Sequence, residues 1–285
     1  MIVVRLMGGL GNQLFQLALA LRLGCEGSGP IALDPCVLEN PVGGGTPRRY
    51  ALGTYAHGLQ LARRRDCWRW GWDAPGIARL RNRLDRNRAW HLRTRIDERH
   101  PFSFDAEVLA VKQGLLVGYW QHPGYASDTV LAMMRQLIPP AAGPADPRRM
   151  VSVHVRRGDL IDNPSTAAFH GHCDEHYFKS AMQLARHRLG EDVRFVICSD
   201  DPDWCLARLA SPDSRVASEP AGDASADLAI MRTCGHHILS NSTLGWWAAR
   251  LAAPGGLVVA PEVWLKGNPE ASAALRMPGW DVLTP

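Results

Sequence analysis

Residues 2–23 read IVVRLMGGLGNQLFQLALALRL. The run from Ile2 to Met7 is β-rich, a glycine loop follows, and Leu14, Leu17, Ala18 and Leu21 recur at the spacing of one helical face. Pro30-Ile31-Ala32-Leu33-Asp34 reads as the next strand, so the chain opens as a βαβ unit and the fold class is α/β. The same stretch has the outline of a secretory leader, with Arg5 ahead of an apolar run. Residues 8–13 (GGLGNQ) interrupt that run and no small-residue cleavage site follows cleanly, so strand, loop and helix are expected instead. No uninterrupted apolar run approaches the roughly 18 to 20 residues of a membrane span, so a soluble protein is expected, cytoplasmic by its cysteine pattern and at most peripheral to the inner membrane face.

Working outward, 285 residues at 46% hydrophobic composition suffice for two medium cores. Residues 139–147 (PPAAGPADP) cannot continue a helix or a central strand, because four prolines remove donors and fix φ. The boundary is therefore expected there, giving lobes of residues 1–146 and 147–285. Beyond it, residues 150–156, 193–198, 237–240 and 257–260 read as strands separated by helical stretches such as 177–189. That alternation predicts a parallel sheet with crossover helices. Between about 60 and 100 the sequence is Arg-rich, with Trp68, Trp70, Trp72 and Trp90, and reads as a helical insertion. Its face is either solvated, with some tryptophans buried, or rests on a membrane beside a lipid-linked glycan.

A formal charge of +4, with no long basic block interleaved with aromatics, argues against nucleic acid as a partner. The seven cysteines are scattered, odd in number and form no CxxC pair, which fits a reducing compartment and neither a disulfide framework nor a structural zinc site.

Five segments are candidates for chemistry. In VSVHVRRGD (151–159), strand alternation puts Val151, Val153 and Val155 on one face and His154 and Arg156 on the other. Arg156 then lies at the carboxyl end of a strand, the edge where open α/β sheets bind ligands, and a guanidinium suits phosphate oxygens there. A surface ion network among Arg156, Arg157 and Asp159 is the alternative. In LSNSTLGWW (239–247) a strand meets hydroxyl and amide residues before a helix; Ser242 or Thr243 can cap it, with or without an anion at its N-terminus. In FVICSDDPDW (195–204), Asp201 and Asp203 have DxD spacing, but Asp-Pro also starts turns and no metal is expected. His170, His172, Cys173 and His176 lack a second ligand pair at zinc-like spacing and read as loop residues. The glycine loop and Asp34 imitate a dinucleotide fingerprint, with Leu14 in the place of the third glycine. That leaves an NAD-dependent oxidoreductase as one rival, and a glycan-binding protein without turnover as another.

Taken together, GGLGNQLFQ (8–16), VGYWQH (117–122), HVRRGD (154–159), SDDPDW (199–204) and DLAIMRTCGHHILSNSTLGWWAARL (227–251) resemble the α-1,2-fucosyltransferase family in order and spacing, over nearly the whole chain. The resemblance implies two Rossmann-like lobes of GT-B type: an acceptor-side N-terminal lobe and a GDP-sugar-binding C-terminal lobe. It also implies a role in polysaccharide or lipopolysaccharide synthesis and no metal cofactor. It further implies inverting transfer of L-fucose from GDP-fucose to the 2-hydroxyl of a galactose-terminated oligosaccharide. Carried over, Arg156 holds the donor β-phosphate, His154 and Asp227 lie towards guanine or ribose, Ser242 and Thr243 bind phosphate, and Asn12 lies near the fucose. Arg157, Asp200, Ser240 and Asn241 belong to the same donor site. Asp159 is grouped with Arg156 as catalytic, either as general base or orienting Arg157; Asp174, Glu175 and His176 are other candidates for the base. The family more often has Ser-Ser-Phe-Ser-Trp-Trp where this chain has SNSTLGWW, so Gly245 removes one hydroxyl.

Overall fold

The computed structural model describes residues 1–41, 46–63, 80, 83–85, 87–158, 173–219 and 222–285. They form two units, Met1–Leu137 and Ile138–Pro285. The division falls ahead of the proline-rich stretch rather than within it. Residues 139–147 are not a linker: the Ala141 N–H donates to the Ala229 carbonyl at 3.0 Å, and Asp146 caps a short 3-10 turn, Pro147–Arg149, that leads into the next strand. Prolines stop a helix, but the segment still packs on the second unit.

The first unit opens with β1 (Ile2–Arg5), α1 (Leu10–Cys25) and β2 (Ile31–Asp34), and continues with β3 (Gln60–Leu61), β4 (Arg95–Asp97), β5 (Gly114–Val117) and α2 (Asp128–Leu137). The five strands are all parallel, in the order β3-β2-β1-β5-β4. α1 is buried nearly all round rather than along one stripe, with Leu14, Phe15 and Leu17 fully enclosed. Each such side chain contributes about 1.5–3 kcal/mol by leaving water, which roots the helix firmly in the unit.

Within the helical insertion expected between 60 and 100, the described residues 80 and 83–85 are helical. β3 and β4 lie in it as strands of the sheet, and Trp90 is buried in the 3-10 turn Trp90–Leu92. Trp68, Trp70 and Trp72 lie outside the described residues.

The second unit contains β6 (Met150–Val155), α3 (Glu175–Leu189), β7 (Arg194–Ser199), α4 (Pro202–Arg208), β8 (Ser214–Val216), α5 (Ala224–Met231), β9 (His236–Ile238), α6 (Thr243–Leu251), β10 (Val258–Pro261), α7 (Pro269–Leu275) and β11 (Asp281–Leu283). All six strands are parallel, in the order β11-β10-β9-β6-β7-β8. Counted within the unit this is 6-5-4-1-2-3, the doubly wound nucleotide-binding order. The alternation expected of β6 is realised. Val151, Val153 and Val155 join Tyr177, Phe178 and Ala181 of α3 in the core, while Ser152 and His154 face the other way, each bonded to a residue in or just beyond β9.

Candidate functional site

In the second unit the chain leaves β6 to build β7 and β8 on one side, then returns to build β9 on the other. The carboxyl ends of β6 and β9 therefore diverge at the switch point, where doubly wound sheets hold ligands. Arg156 to Gly158 leave one strand there. Leu239 to Ser242 leave the other and lead into α6.

His154 closes the inner wall. Its Nδ1 lies 3.2 Å from the Ser240 hydroxyl oxygen, and the residue is only 4% exposed. Burial pushes its pKa down to about 4; Arg156 pushes the same way and Asp200 opposes, so the imidazole is neutral at neutral pH. Gly245 in α6 is what makes room for the ring: a Cβ there would lie 3.0 Å from His154 Nδ1 and 3.2 Å from its Cβ. The hydroxyl missing from position 245 is thus matched by an imidazole against the helix.

The two arginines divide. Arg157 is held by the protein: its Nε is 3.1 Å from Asp201 Oδ2, and its guanidinium lies 3.9 Å from the centre of the Trp204 ring. Arg156 stands at the edge, 30% exposed, with its Nε 3.3 Å from Asp200 Oδ2. Asp200 also accepts the Arg157 backbone N–H at 2.8 Å, and so orders the start of the loop. Asp201 engages both oxygens within the protein, one with Arg157 and the other capping α4 through the Trp204 N–H at 3.1 Å. The DxD spacing here begins a helix.

On the β9 side, Ser242 caps α6 by accepting the Leu244 N–H at 3.3 Å, and its own N–H donates to the Ser240 carbonyl at 2.7 Å. Thr243 is the first residue of the helix, whose first turn carries backbone donors and a positive dipole end. Asn241 turns its amide inward to the Trp264 carbonyl at 3.4 Å, and Tyr177 of α3 donates to the Leu239 carbonyl at 2.6 Å. Ser240 and Asn241 therefore support the site from behind. Asp227, on α5, accepts the Ser218 hydroxyl at 2.7 Å, and Ser218 accepts the Ser199 N–H at 2.7 Å; burial raises the Asp227 pKa, and the Ser218 hydrogen bond opposes it.

The first unit has its own switch point between β1 and β5. Gly8 has φ +74°, and the Asn12 side chain occupies the space that a Cβ would take, so glycine is required twice over. Gln13 and Gln16, both fully buried, hold the glycine loop. Gln13 donates to the carbonyls of Gly8 at 3.0 Å and Arg49 at 2.9 Å, and Gln16 accepts the Met7 N–H at 3.0 Å. Asn12 Oδ1 accepts from Gln121, beyond β5, at 2.7 Å. Asp34 is fully buried and bonded to Arg5 at 2.9 Å, with Cys36 N–H also donating to it. The carboxylate on which the NAD reading relied is an internal ion pair, and Leu14 is in the core.

Asp159, His170 and His172 lie outside the described residues. Of the other candidates for a base, Asp174 caps α3, Glu175 pairs with Lys179 and Arg208, and His176 is exposed. Sequence reasoning missed Gln121, Glu98, Trp204 and Ser218, whose roles rest on contacts across the fold. VGYWQH and SDDPDW contained Gln121 and Trp204 as letters, but nothing in the letters paired them.

Each of the two units is Rossmann-like, and in the second a basic strand end adjoins a hydroxyl-capped helix at the switch point, the place where doubly wound sheets bind nucleotides. Residues 112–284 match the family described as Glycosyl transferase family 11, and the chain belongs to that family. It is 26% identical over 281 residues to an alpha-1,2-colitosyltransferase of Escherichia coli, covering 93% of this chain and 92% of that protein. It is 35% identical over 115 residues to galactoside alpha-(1,2)-fucosyltransferase 1 of Rattus norvegicus, a stretch covering 39% of this chain and 30% of that one. Among solved structures, the fucosyltransferase NodZ from Bradyrhizobium aligns over 88% of this chain and 92% of its own, with a TM-score of 0.46 and 16% identity.

Proposed function

We propose that this enzyme transfers L-fucose from GDP-β-L-fucose to the 2-hydroxyl of a terminal galactoside in an oligosaccharide, with inversion at the anomeric carbon. One observation carries the reading: Arg156 and the capped N-terminus of α6 leave neighbouring strands at the switch point of a doubly wound sheet. Cation and helix end supply opposite sides of a diphosphate cradle.

The acceptor hydroxyl attacks C1 as the C1–O bond to GDP breaks, through an oxocarbenium-like state, and negative charge grows on the departing phosphate. Arg156 exchanges Asp200 for phosphate oxygens, while the first N–H groups of α6 and the Thr243 hydroxyl meet the other phosphate. Ser242, as cap, holds that helix end. His154, neutral, serves as hydrogen-bonding wall towards the nucleoside, with Asp227 on the same side. Asn12 bears on the fucose. With its charge met by protein groups, the leaving phosphate needs no metal in this scheme. The base is assigned to Asp159 or to one of Asp174, Glu175 and His176. For the Arg- and Trp-rich segment a solvated face stands against contact with a membrane that carries a lipid-linked glycan, and failure to co-sediment with anionic liposomes at low salt would remove the membrane alternative.

A second donor has a specific observation in its favour, because the match covering 93% of the chain is to a colitosyltransferase. Colitose lacks the 3-hydroxyl of fucose, so the two donors differ by one hydrogen-bonding group. The deciding assay measures GDP release from GDP-fucose and from GDP-colitose, with and without lactose, in EDTA. Acceptor-dependent release from GDP-fucose is expected. Release from GDP-colitose alone would move the enzyme to the second donor, and loss of release in EDTA would end the metal-independent scheme.

A further inference from the structure

The first unit contains a second built surface, at the carboxyl ends of β4 and β5. Glu98, just past β4, accepts the N–H groups of Tyr119 at 2.8 Å and Trp120 at 3.0 Å, one on each carboxylate oxygen. Its partly buried carboxylate is thereby committed to shaping the loop that follows β5, and burial raises its pKa against those two hydrogen bonds. Among the described residues, the two non-glycine residues with positive φ are Phe102 at 65° and Trp120 at 56°, one in each segment of this surface. Conformations of this kind cost on the order of 1–3 kcal/mol each and persist where the surroundings impose them, often at binding sites.

The surface so held is aromatic. Eight large apolar side chains are exposed among the described residues, and the two aromatic ones, Phe104 at 40% and Tyr119 at 41%, both belong here. Phe104 lies against the α-carbon of Gly124, where a Cβ would come within 2.7 Å of the ring, and its centroid is 5.9 Å from that of His122 and 5.1 Å from that of Tyr125. The platform is rigid, because Tyr125 accepts the Asp105 N–H at 3.1 Å and packs edge-on against the fully buried Trp120. His122 Nδ1 accepts the Gly124 N–H at 3.0 Å, which fixes the neutral tautomer and leaves Nε2–H as a donor. Gln121, bonded to Asn12, joins this platform to the glycine loop at the same sheet edge.

We infer that Phe104, Tyr119 and His122 form the acceptor subsite, with Glu98 as its positioning residue. The ligand class is a pyranose with one C–H face and hydroxyls around its rim. Galactose is such a sugar: its axial O4 leaves the hydrogens on C3, C4 and C5 together on one face, suited to an aromatic ring, while His122 Nε2–H can donate to a rim oxygen. The choice of galactoside rests on the function proposed above; the stacking surface itself does not.

The test is lactose binding to the full chain in the presence of GDP, by saturation-transfer NMR, beside steady-state kinetics. Phe104→Ala should weaken lactose binding and raise its KM by about tenfold, the scale of one lost aromatic contact, with GDP affinity and donor hydrolysis unchanged. Phe104→Tyr should restore both. Equal lactose affinity in parent and Phe104→Ala would overturn the subsite. Should lactose fail with the parent, the galactoside reading fails separately, and a panel of pyranosides decides the subsite. A sugar that binds the parent and loses affinity in Phe104→Ala upholds it, and a panel without such a sugar sinks it.

Discussion

Replacing Arg156 by alanine separates folding from chemistry. In the folded chain Arg156 pairs with Asp200 at 3.3 Å, and both side chains are about one-third exposed, at 30% and 35%. A pair that open to solvent is screened and is worth about 0–1 kcal/mol, so the second unit's thermal midpoint should fall by no more than about 4 °C. Arg157, stacked on Trp204 and bonded to Asp201, keeps the strand end ordered without its neighbour. The transition state loses far more. Removing one preorganised donor from a developing oxyanion costs on the order of 10² to 10³ in kcat, about 2.7–4 kcal/mol. Thermal unfolding followed by tryptophan fluorescence, together with GDP release at saturating donor and acceptor, measures both quantities on one sample. A kcat within about threefold of the parent, with the whole loss in donor KM, would mean uniform binding rather than charge stabilisation and would refute the role given to Arg156.

Three further outcomes follow from the geometry. Gly245→Ala gains about 0.5–1 kcal/mol of helix propensity but drives a methyl into His154, which is boxed between β7 and β9, so a net loss of about 1–2 kcal/mol is expected in chemical denaturation; a variant as stable as the parent would show that the ring yields. Glu98→Gln replaces one carboxylate oxygen by an amide donor that faces a backbone N–H, and should raise the acceptor KM with little change in GDP affinity; a proportional loss of both would assign Glu98 to general stability. Stability should also fall as pH drops from about 6.5 towards about 4. His154 and His237 are held neutral by burial, with pKa values pushed down to about 4 and about 3, so the unfolded chain binds their protons first. Asp213, lowered to about 2 chiefly by the Arg186 hydrogen bond, acts only below this window, and Glu98 and Asp227, both raised, act in the opposite sense. A flat denaturation midpoint between pH 6.5 and 4.5 would contradict the burial argument.

What the sequence made legible follows from how local each signal is. β6 could be read because alternation over Val151 to Val155 is a property of neighbours in the chain, and the structure puts the valines in the core and His154 opposite. β4 was not, because in Arg95-Ile96-Asp97 only Ile96 is buried and two charged residues flank it, which leaves no pattern to read. The basic strand end and the capped helix were visible as residue types. That Arg156 faces Asp200 while Arg157 is held by Asp201 and Trp204 depends on register between β6 and β7, which the letters do not state. Glu98 left no sequence signal, since its partners are two backbone amides more than twenty residues away. The reverse error arose at Asp34, where correct spacing suggested a ribose ligand and a buried arginine already held the carboxylate.

Each sheet is assembled from one uninterrupted length of chain: β1 to β5 all precede Leu137, and β6 to β11 all follow Ile138. Among the described residues no strand is lent across that point. A single crossover in the gene near codon 138 would therefore carry off a whole sheet and leave the other entire, so the switch point at Arg156 and the surface around Phe104 can be inherited separately. Grafting a relative's first half onto this second half is a one-junction experiment.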